Sequence, residues 1–385
     1  MRTIETSVMK LNFTAKSLVC LIFAFGVAAC GGKSKKESTL PAQTAQKTQN
    51  SVVDPANFDP TGDDTFGATA LNNQDEDDYQ GPKPPGVDLT PEKRTQVVTS
   101  SLQTGQAALT RADSDQAIAE ARKALEADET SVEAMVVLAR ANYMKGYLDL
   151  SEDILNKAIE RGGERNKQVH FLLGVIYEKT DRKEDAPAKY QAALALDPNY
   201  QSALMNLGVS HLENRRYSDA ISVYEKLTNE LGVDTEVAWT NLGSAYRGKS
   251  VEYNLSNPST RNEYILKAEK SYQKALSKKQ SYKNAHFNLG LLYLDADPFP
   301  KGDDSIDTLE RLKTARRYFN DYQKLSGSDQ KLAEGVIAVT QKLINKEEKL
   351  RKKAAERAAK DAARKAREEA GGDDDDDFDS DEGFE

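Results

Sequence analysis

The sequence predicts an all-α protein, an α-solenoid that winds as a right-handed superhelix of about six helical hairpins. Two observations carry this prediction. Residues 98–328 repeat with a period near 34, and the composition, 38% hydrophobic with 30% charged residues, is too polar for a chain that is globular throughout. A unit of this length is one helical hairpin that buries its apolar face only against its neighbours. The repeats therefore set the architecture, and the flanking regions lie outside its core.

The N-terminus has the pattern of a secretory signal. Residues 18–29 contain no charge, and Lys10 and Lys16 precede them. This run is shorter than the roughly 18 apolar residues that a membrane-spanning helix needs. Residues 1–29 are therefore predicted to be a cleaved signal peptide.

The end of this run, Val27-Ala28-Ala29-Cys30, resembles the lipobox of bacterial lipoproteins. The resemblance implies cleavage before Cys30, diacylglycerol on its sulfur and an acylated amino group such as a palmitoyl amide. Two or three acyl chains anchor a protein stably where one binds only marginally. Gly31 replaces the Asp that is usual in inner-membrane retention, so the resemblance favours the outer membrane, facing the periplasm. A plain secretory signal with Cys30 near the cut is the alternative.

The region after Cys30 is predicted to be a disordered tether. Residues 30–95 are rich in Ser, Thr, Gln, Asn, Asp, Gly and Pro, with almost no apolar run that could offset the entropy of ordering. Cys20 and Cys30 are the two cysteines of the chain, so the body beyond residue 95 can form no disulfide and no thiolate metal site.

The clearest repeat is residues 167–200. Its pattern residues are Leu173, Gly174, Tyr177, Ala186, Tyr190, Ala193 and Pro198. This spacing resembles the tetratricopeptide repeat, a pair of antiparallel helices A and B. Small residues such as Gly174 and Ala186 suit the close crossing of the two helices, and Pro198 breaks the chain between units.

The same spacing divides the array into six units, which are residues 98–131, 132–166, 167–200, 201–235, 236–282 and 283–328. The first unit has polar Ser101 and Thr104 at apolar positions, as a terminal capping unit would. The last two units carry extra residues between helices A and B, near 249–264 and 295–309. A partner-binding rim and tolerated loop growth are both open interpretations of these insertions.

Beyond the repeats, residues 329–370 are predicted to form a helix that first caps the array and then continues as a charged rod with pairs such as Glu347 and Arg351 four residues apart. Residues 371–385 carry nine acidic residues and no basic one, which predicts a disordered acidic tail.

The sequence offers no chemistry for an enzyme. His170, His211 and His286 occupy packing positions of the repeats and are predicted to be core residues. No nucleophile with its base, no phosphate-binding glycine loop and no metal-ligand spacing occurs, so neither a cofactor nor a metal is expected. The net charge of -9 provides no basic face for nucleic acid.

What remains is a partner-binding groove, formed in this repeat family by positions 2, 5, 9 and 12 of helix A. Several apolar side chains there, such as Phe171, Met205 and Val209, are expected to face solvent and to bind an extended or helical segment. The candidate residues are Gln168, Phe171, Val175, Glu178, Met205, Val209, Leu212, Thr240, Ser244, Arg247, Asn284, Phe287, Leu291 and Leu294. The alternative is that the capping helix folds back into this groove.

Taken together, the lipobox, tether, six repeats, charged helix and acidic tail resemble the tetratricopeptide lipoproteins of the bacterial adventurous gliding-motility complex. The resemblance implies a lipid-anchored envelope scaffold that binds protein partners and catalyses nothing. A pilotin for a type IV pilus or secretion secretin, and a general outer-membrane or cell-wall adaptor, are the alternative functions.

Overall fold

The computed structural model describes residues 89–369 except 181, 254–256, 303, 326, 328 and 329. The predicted signal peptide, the lipidation site Cys30, the tether up to residue 88 and the acidic tail lie outside these residues, so they stay predictions. Within the described part of the chain, no helix combines the length and the apolar character needed to cross a bilayer.

Most of the described chain is helical, and its first twelve helices pair as six consecutive antiparallel hairpins. The hairpins are α1 Pro91–Thr110 with α2 Ser114–Ala127, α3 Val132–Met144 with α4 Leu148–Glu160, α5 Lys167–Lys179 with α6 Ala186–Leu196, α7 Gln201–Glu213 with α8 Tyr217–Glu225, α9 Glu236–Glu252 with α10 Pro258–Lys278, and α11 Lys283–Asp295 with α12 Thr308–Leu325. A last helix, α13 Gln330–Glu369, packs on α12. The predicted all-α solenoid is confirmed.

The helix boundaries follow the sequence period closely. The A helices of units two to six begin at the first residues of the predicted units, which are Val132, Lys167, Gln201, Glu236 and Lys283. The first unit differs, because α1 begins at Pro91 and not at residue 98. Thr90 caps this helix by accepting a hydrogen bond from the Lys93 amide at 3.4 Å, and proline is favoured in a first turn. Residues 91–95 therefore belong to a helix and not to the predicted tether.

A glycine beneath an aromatic ring sets the crossing of helices A and B. A Cβ atom added at Gly174, Gly208 or Gly243 would lie 2.6 Å from the ring of the tyrosine on helix B of the same hairpin. Those rings are Tyr190, Tyr224 and Tyr272, and all three are fully buried. The second hairpin has a different pair at the equivalent positions, in which Ala139 is larger than glycine and Leu155 is smaller than tyrosine.

Buried hydrogen bonds join the middle hairpins to one another. The side-chain amide of Asn206 on α7 donates to the Tyr190 hydroxyl on α6 at 3.3 Å, and that of Asn241 on α9 donates to the Tyr224 hydroxyl on α8 at 3.1 Å. The Tyr224 hydroxyl itself donates to the Met205 carbonyl at 3.2 Å. Each tyrosine thus fills its own hairpin and binds the next one.

The first insertion mainly lengthens two helices. Helices α9 and α10 have 17 and 21 residues, compared with 13 in α7 and 9 in α8, which continues as a five-residue π-helix, Lys226–Glu230. The second insertion forms a short antiparallel ribbon of β1 Phe299–Lys301 and β2 Asp304–Ile306, in which Phe299 pairs with Ile306.

Two buried arginines bind the second insertion to the helices. Arg261, from the lengthened part of α10, donates to the carbonyls of Pro298 at 3.0 Å and Asp297 at 3.3 Å. Arg311 on α12 is 3% exposed and forms an ion pair with Asp297 at 2.9 Å. The same guanidinium donates to the last turn of α11, at the carbonyls of Tyr293 and Leu294, both at 2.8 Å. The two insertions therefore contact each other and form one packed edge.

Helix α13 has two different parts. Its N-terminal part buries Ala333, Val336, Thr340 and Ile344 and packs on α12. Its C-terminal part, residues 351–369, is exposed at every position. This helix therefore caps the sixth hairpin and then projects from the array, and its described contacts are not with the predicted groove.

Candidate functional site

The structure buries most of the predicted groove. Eight of the fourteen candidate residues are buried, namely Phe171, Val175, Met205, Val209, Leu212, Thr240, Ser244 and Phe287. The expectation that Phe171, Met205, Val209 and Phe287 face solvent is therefore wrong. These side chains belong to the core of the array and cannot contact a partner without unfolding it.

Contacts with the adjacent helices explain this burial. Phe171 packs against Tyr190 on α6, with ring centroids 5.9 Å apart, and edge-on against Tyr200, the residue that precedes α7, at 5.3 Å. Phe287 packs against Tyr322 on α12 at 4.8 Å. Tyr200 was absent from the candidate residues, although an aromatic residue just after the proline between units is a signal that could have identified it.

The six remaining candidates are accessible and lie on α5, α9 and α11, and we call them together the helix A surface. Gln168 is exposed, and five others are partly exposed, namely Glu178, Arg247, Asn284, Leu291 and Leu294. Arg247 donates to Asp295, the last residue of α11, at 3.1 Å. The surface thus combines an acid at the third hairpin with a paired base and two leucines at the fifth and sixth, a mixture that suits a peptide with both apolar and charged side chains.

Glu178 is the unusual group of this surface. Its Oε2 atom is enclosed and has no hydrogen-bond partner among the described residues. Burial raises the pKa of this carboxyl to about 7, the nearby Glu213 carboxylate raises it further, and a hydrogen bond from the Tyr190 hydroxyl opposes the rise. The helix A surface therefore contains one carboxyl, that of Glu178, whose charge changes near neutral pH.

This raised pKa predicts the direction in which pH changes stability. A carboxyl that binds its proton more tightly when folded destabilises the fold as pH rises from about 4.5 to about 7, and the loss then levels off. Glu178→Gln should remove this loss and raise the free energy of unfolding at pH 8 by about 2 kcal/mol, with little change at pH 4. Urea denaturation at both pH values measures the difference. Glu213→Gln, on the exposed neighbour, is the control, and an equal gain there would contradict the assignment to Glu178.

His211 and His286 are buried, as predicted for core residues, whereas His170 is partly exposed. His170 and His286 each place Nε2 against a backbone carbonyl, Glu164 at 2.8 Å and Gln280 at 2.9 Å. In the part of the chain that the structure describes, no group of three or more His, Cys, Asp or Glu side chains is arranged to hold a metal ion.

Comparison with known families identifies the repeats. Residues 102–164, 152–201 and 185–230 match the profile described as tetratricopeptide repeat. These matches extend from the middle of α1 in the first hairpin to the fourth hairpin, about a third of the chain. No curated protein sequence matches the chain significantly.

Three solved structures illustrate the similarity in fold. MamA is 26% identical over 49% of this chain and 94% of its own, with a TM-score of 0.37. The Pseudomonas aeruginosa protein pilF is 20% identical over 60% of this chain and 93% of its own, with a TM-score of 0.48. YrrB, described as a TPR protein with an unusual peptide-binding site, is 20% identical over 50% and 95% of the two chains, with a TM-score of 0.37.

Proposed function

Because the chain folds as a solenoid of tetratricopeptide repeats, we propose that it is a non-catalytic scaffold lipoprotein of the bacterial envelope. It holds protein partners against its helix A surface, and the lipid on Cys30 holds it at the outer membrane. The observation that carries the proposal is the set of accessible side chains on three A helices, from Gln168 on α5 through Arg247 on α9 to Leu294 on α11. Such a set presents spaced contacts to a partner segment.

The machine that we propose for this scaffold is a gliding-motility complex. The basis is the layout of the whole sequence, in which a lipobox, a long polar segment, six repeats, a charged helix and an acidic tail follow one another. Cross-linked affinity capture from intact envelopes, followed by mass spectrometry, tests this assignment. Motility proteins in the eluate would support it, a dominant secretin would make the protein a pilotin, and cell-wall enzymes would make it an adaptor.

A substitution on the helix A surface tests the binding site. Leu291→Ser together with Leu294→Ser should reduce capture of the main partner at least about tenfold, because both side chains are accessible at the sixth hairpin. Far-ultraviolet circular dichroism should show unchanged helicity. The matched control is Val251→Ser with Leu266→Ser, two exposed apolar residues on the lengthened helices α9 and α10. If only the control variant loses the partner, the binding surface is the insertion edge.

The lipid anchor has its own test. Cys30→Ala removes the sulfur that the lipobox resemblance assigns to lipidation, so the protein should accumulate as an unprocessed precursor or as a soluble form that carbonate washing releases. Cys20→Ala is the control, because this cysteine lies within the predicted signal peptide and should not alter anchoring. A Cys30→Ala protein that stays tightly bound would refute the anchor.

A further inference from the structure

The exposed end of α13 is a basic surface that the helix A surface does not use. Residues 349–367 carry nine basic and two acidic residues, and every described position from 351 onward is exposed. Arg351 is engaged with Asp307 at 2.5 Å and Glu347 at 2.9 Å. Lys352, Lys353 and Lys360 have no ion-pair partner among the described residues.

An isolated helix with this charge repels a second copy of itself. Basic groups four residues apart on one helix also destabilise it, by roughly as much as opposite charges stabilise it. A partner for this surface must therefore carry a high density of negative charge. The sequence contains such a segment immediately after the helix.

The C-terminal residues, 370–385, lie outside the described part of the chain, and they carry nine acidic residues and no basic one. Helix α13 ends at Glu369, and the first acidic residue beyond it is Asp373. Gly371 and Gly372 between them permit a reversal of chain direction. The end of the helix is itself a poor place for these acids, because Glu368, Glu369 and the negative end of the helix dipole lie there.

The lengths of the two segments also match. Nineteen helical residues from 349 to 367 span about 28 Å at 1.5 Å per residue. Sixteen residues of extended chain reach about 50 Å, so the tail can return along the whole basic surface. Because the two segments are joined by a few residues, the tail acts at an effective concentration of about millimolar.

From these observations we propose that residues 349–367 are a binding surface for an acidic polypeptide, and that the chain's own tail occupies it. An external acidic partner must displace the tail, so the tail raises the concentration of partner that is needed for binding at this end of the array. This basic surface is distinct from the helix A surface, and its occupant is independent of any partner bound there.

Zero-length carbodiimide cross-linking tests the contact in the mature-length chain with Cys30→Ala. This reagent joins carboxylates to lysines that touch them. At low salt, tail peptides should be joined to Lys352, Lys353, Lys360 or Lys365, and about 0.5 M NaCl should abolish these products because it screens the charges. A mixture of isotope-labelled and unlabelled chains distinguishes cross-links within one copy from cross-links between two copies. Products only between copies, or none, would overturn the proposal.

Binding of a fluorescein-labelled oligoglutamate peptide tests the competition. A chain that ends at Gly372 should bind the peptide at least about tenfold more tightly than the full chain. A full-length chain with the tail acids changed to Asn or Gln should gain as much affinity for the peptide. The variant Phe378→Ala with Phe384→Ala should gain little affinity. Equal affinity of the full and shortened chains would contradict tail docking.

Two further experiments test the basic residues and the lipid alternative. Changing Lys352, Lys353, Lys360 and Lys365 to Gln should abolish peptide binding in the shortened chain without loss of helicity, because all four side chains are exposed. Vesicles containing phosphatidylglycerol test the lipid alternative. If the full chain binds them as tightly as the shortened chain does, a membrane and not the tail is the occupant, and the proposal fails.

Discussion

Gly208→Ala is expected to destabilise the array by about 3 kcal/mol, at the upper end of overpacking effects. The added methyl group would lie 2.6 Å from the Tyr224 ring, which is fully buried and cannot move aside. The Tyr224 hydroxyl also holds the Met205 carbonyl and the Asn241 amide, so displacement of the ring breaks the link to the fifth hairpin. Urea denaturation followed by circular dichroism measures the loss.

Another hairpin of the same chain indicates a second substitution that should compensate for Gly208→Ala. The second hairpin has Ala139 and Leu155 at the equivalent positions, so Gly208→Ala combined with Tyr224→Leu copies a pair that already packs well. The double variant should be more stable than the sum of the single effects predicts, by at least about 1 kcal/mol. Gly105→Ala is the control, because its nearest obstacle is a Val137 methyl at 3.1 Å. Simple additivity of the two changes would contradict the contact.

Arg311→Met is expected to cost about 3 kcal/mol and to loosen the C-terminal end of the array. The substitution leaves the carbonyls of Tyr293 and Leu294 without their buried donor and leaves Asp297 without its ion-pair partner. The second insertion should therefore be held less tightly against α11 and α12, where the stacking of Phe299 on Tyr293 at 4.3 Å remains. Limited proteolysis should show new cleavage between residues 295 and 309.

Arg317→Met on the same helix is the matched control for this prediction. Its side chain is exposed and lies over the Tyr318 ring at 5.0 Å, a contact whose loss should cost well under about 1 kcal/mol. Equal proteolysis of the two variants would show that Arg311 does not hold the insertion.

Much of the fold could be predicted because the repeat pattern is local. Leu173, Gly174 and Tyr190 recur at fixed offsets in successive units, and the helices begin where those offsets place them. The start of α1 was missed because the pattern there is weak, although Thr90 and Pro91 together are a recognisable helix start.

The insertions and the groove could not be predicted in the same way. The contact of Arg261 with Pro298 joins two segments 37 residues apart, and no periodic pattern records it. Phe171 occupies a position that lines a groove in the family, yet it is covered by Tyr190 on α6 and by Tyr200, the last residue of its own unit. The size of the packed side chains therefore decided which helix A residues are accessible, and the position in the repeat did not.

The hydrogen bonds between tyrosines and asparagines have a mechanical consequence. They join the third, fourth and fifth hairpins, whereas the first two hairpins have Ala121 and Leu155 at the tyrosine position and lack these bonds. If the protein is held through its N-terminal segment, tension enters the array at the hairpins without them. Those hairpins would unravel first and absorb the extension. The bonded hairpins, from Tyr190 to Asn241, would keep their spacing under load.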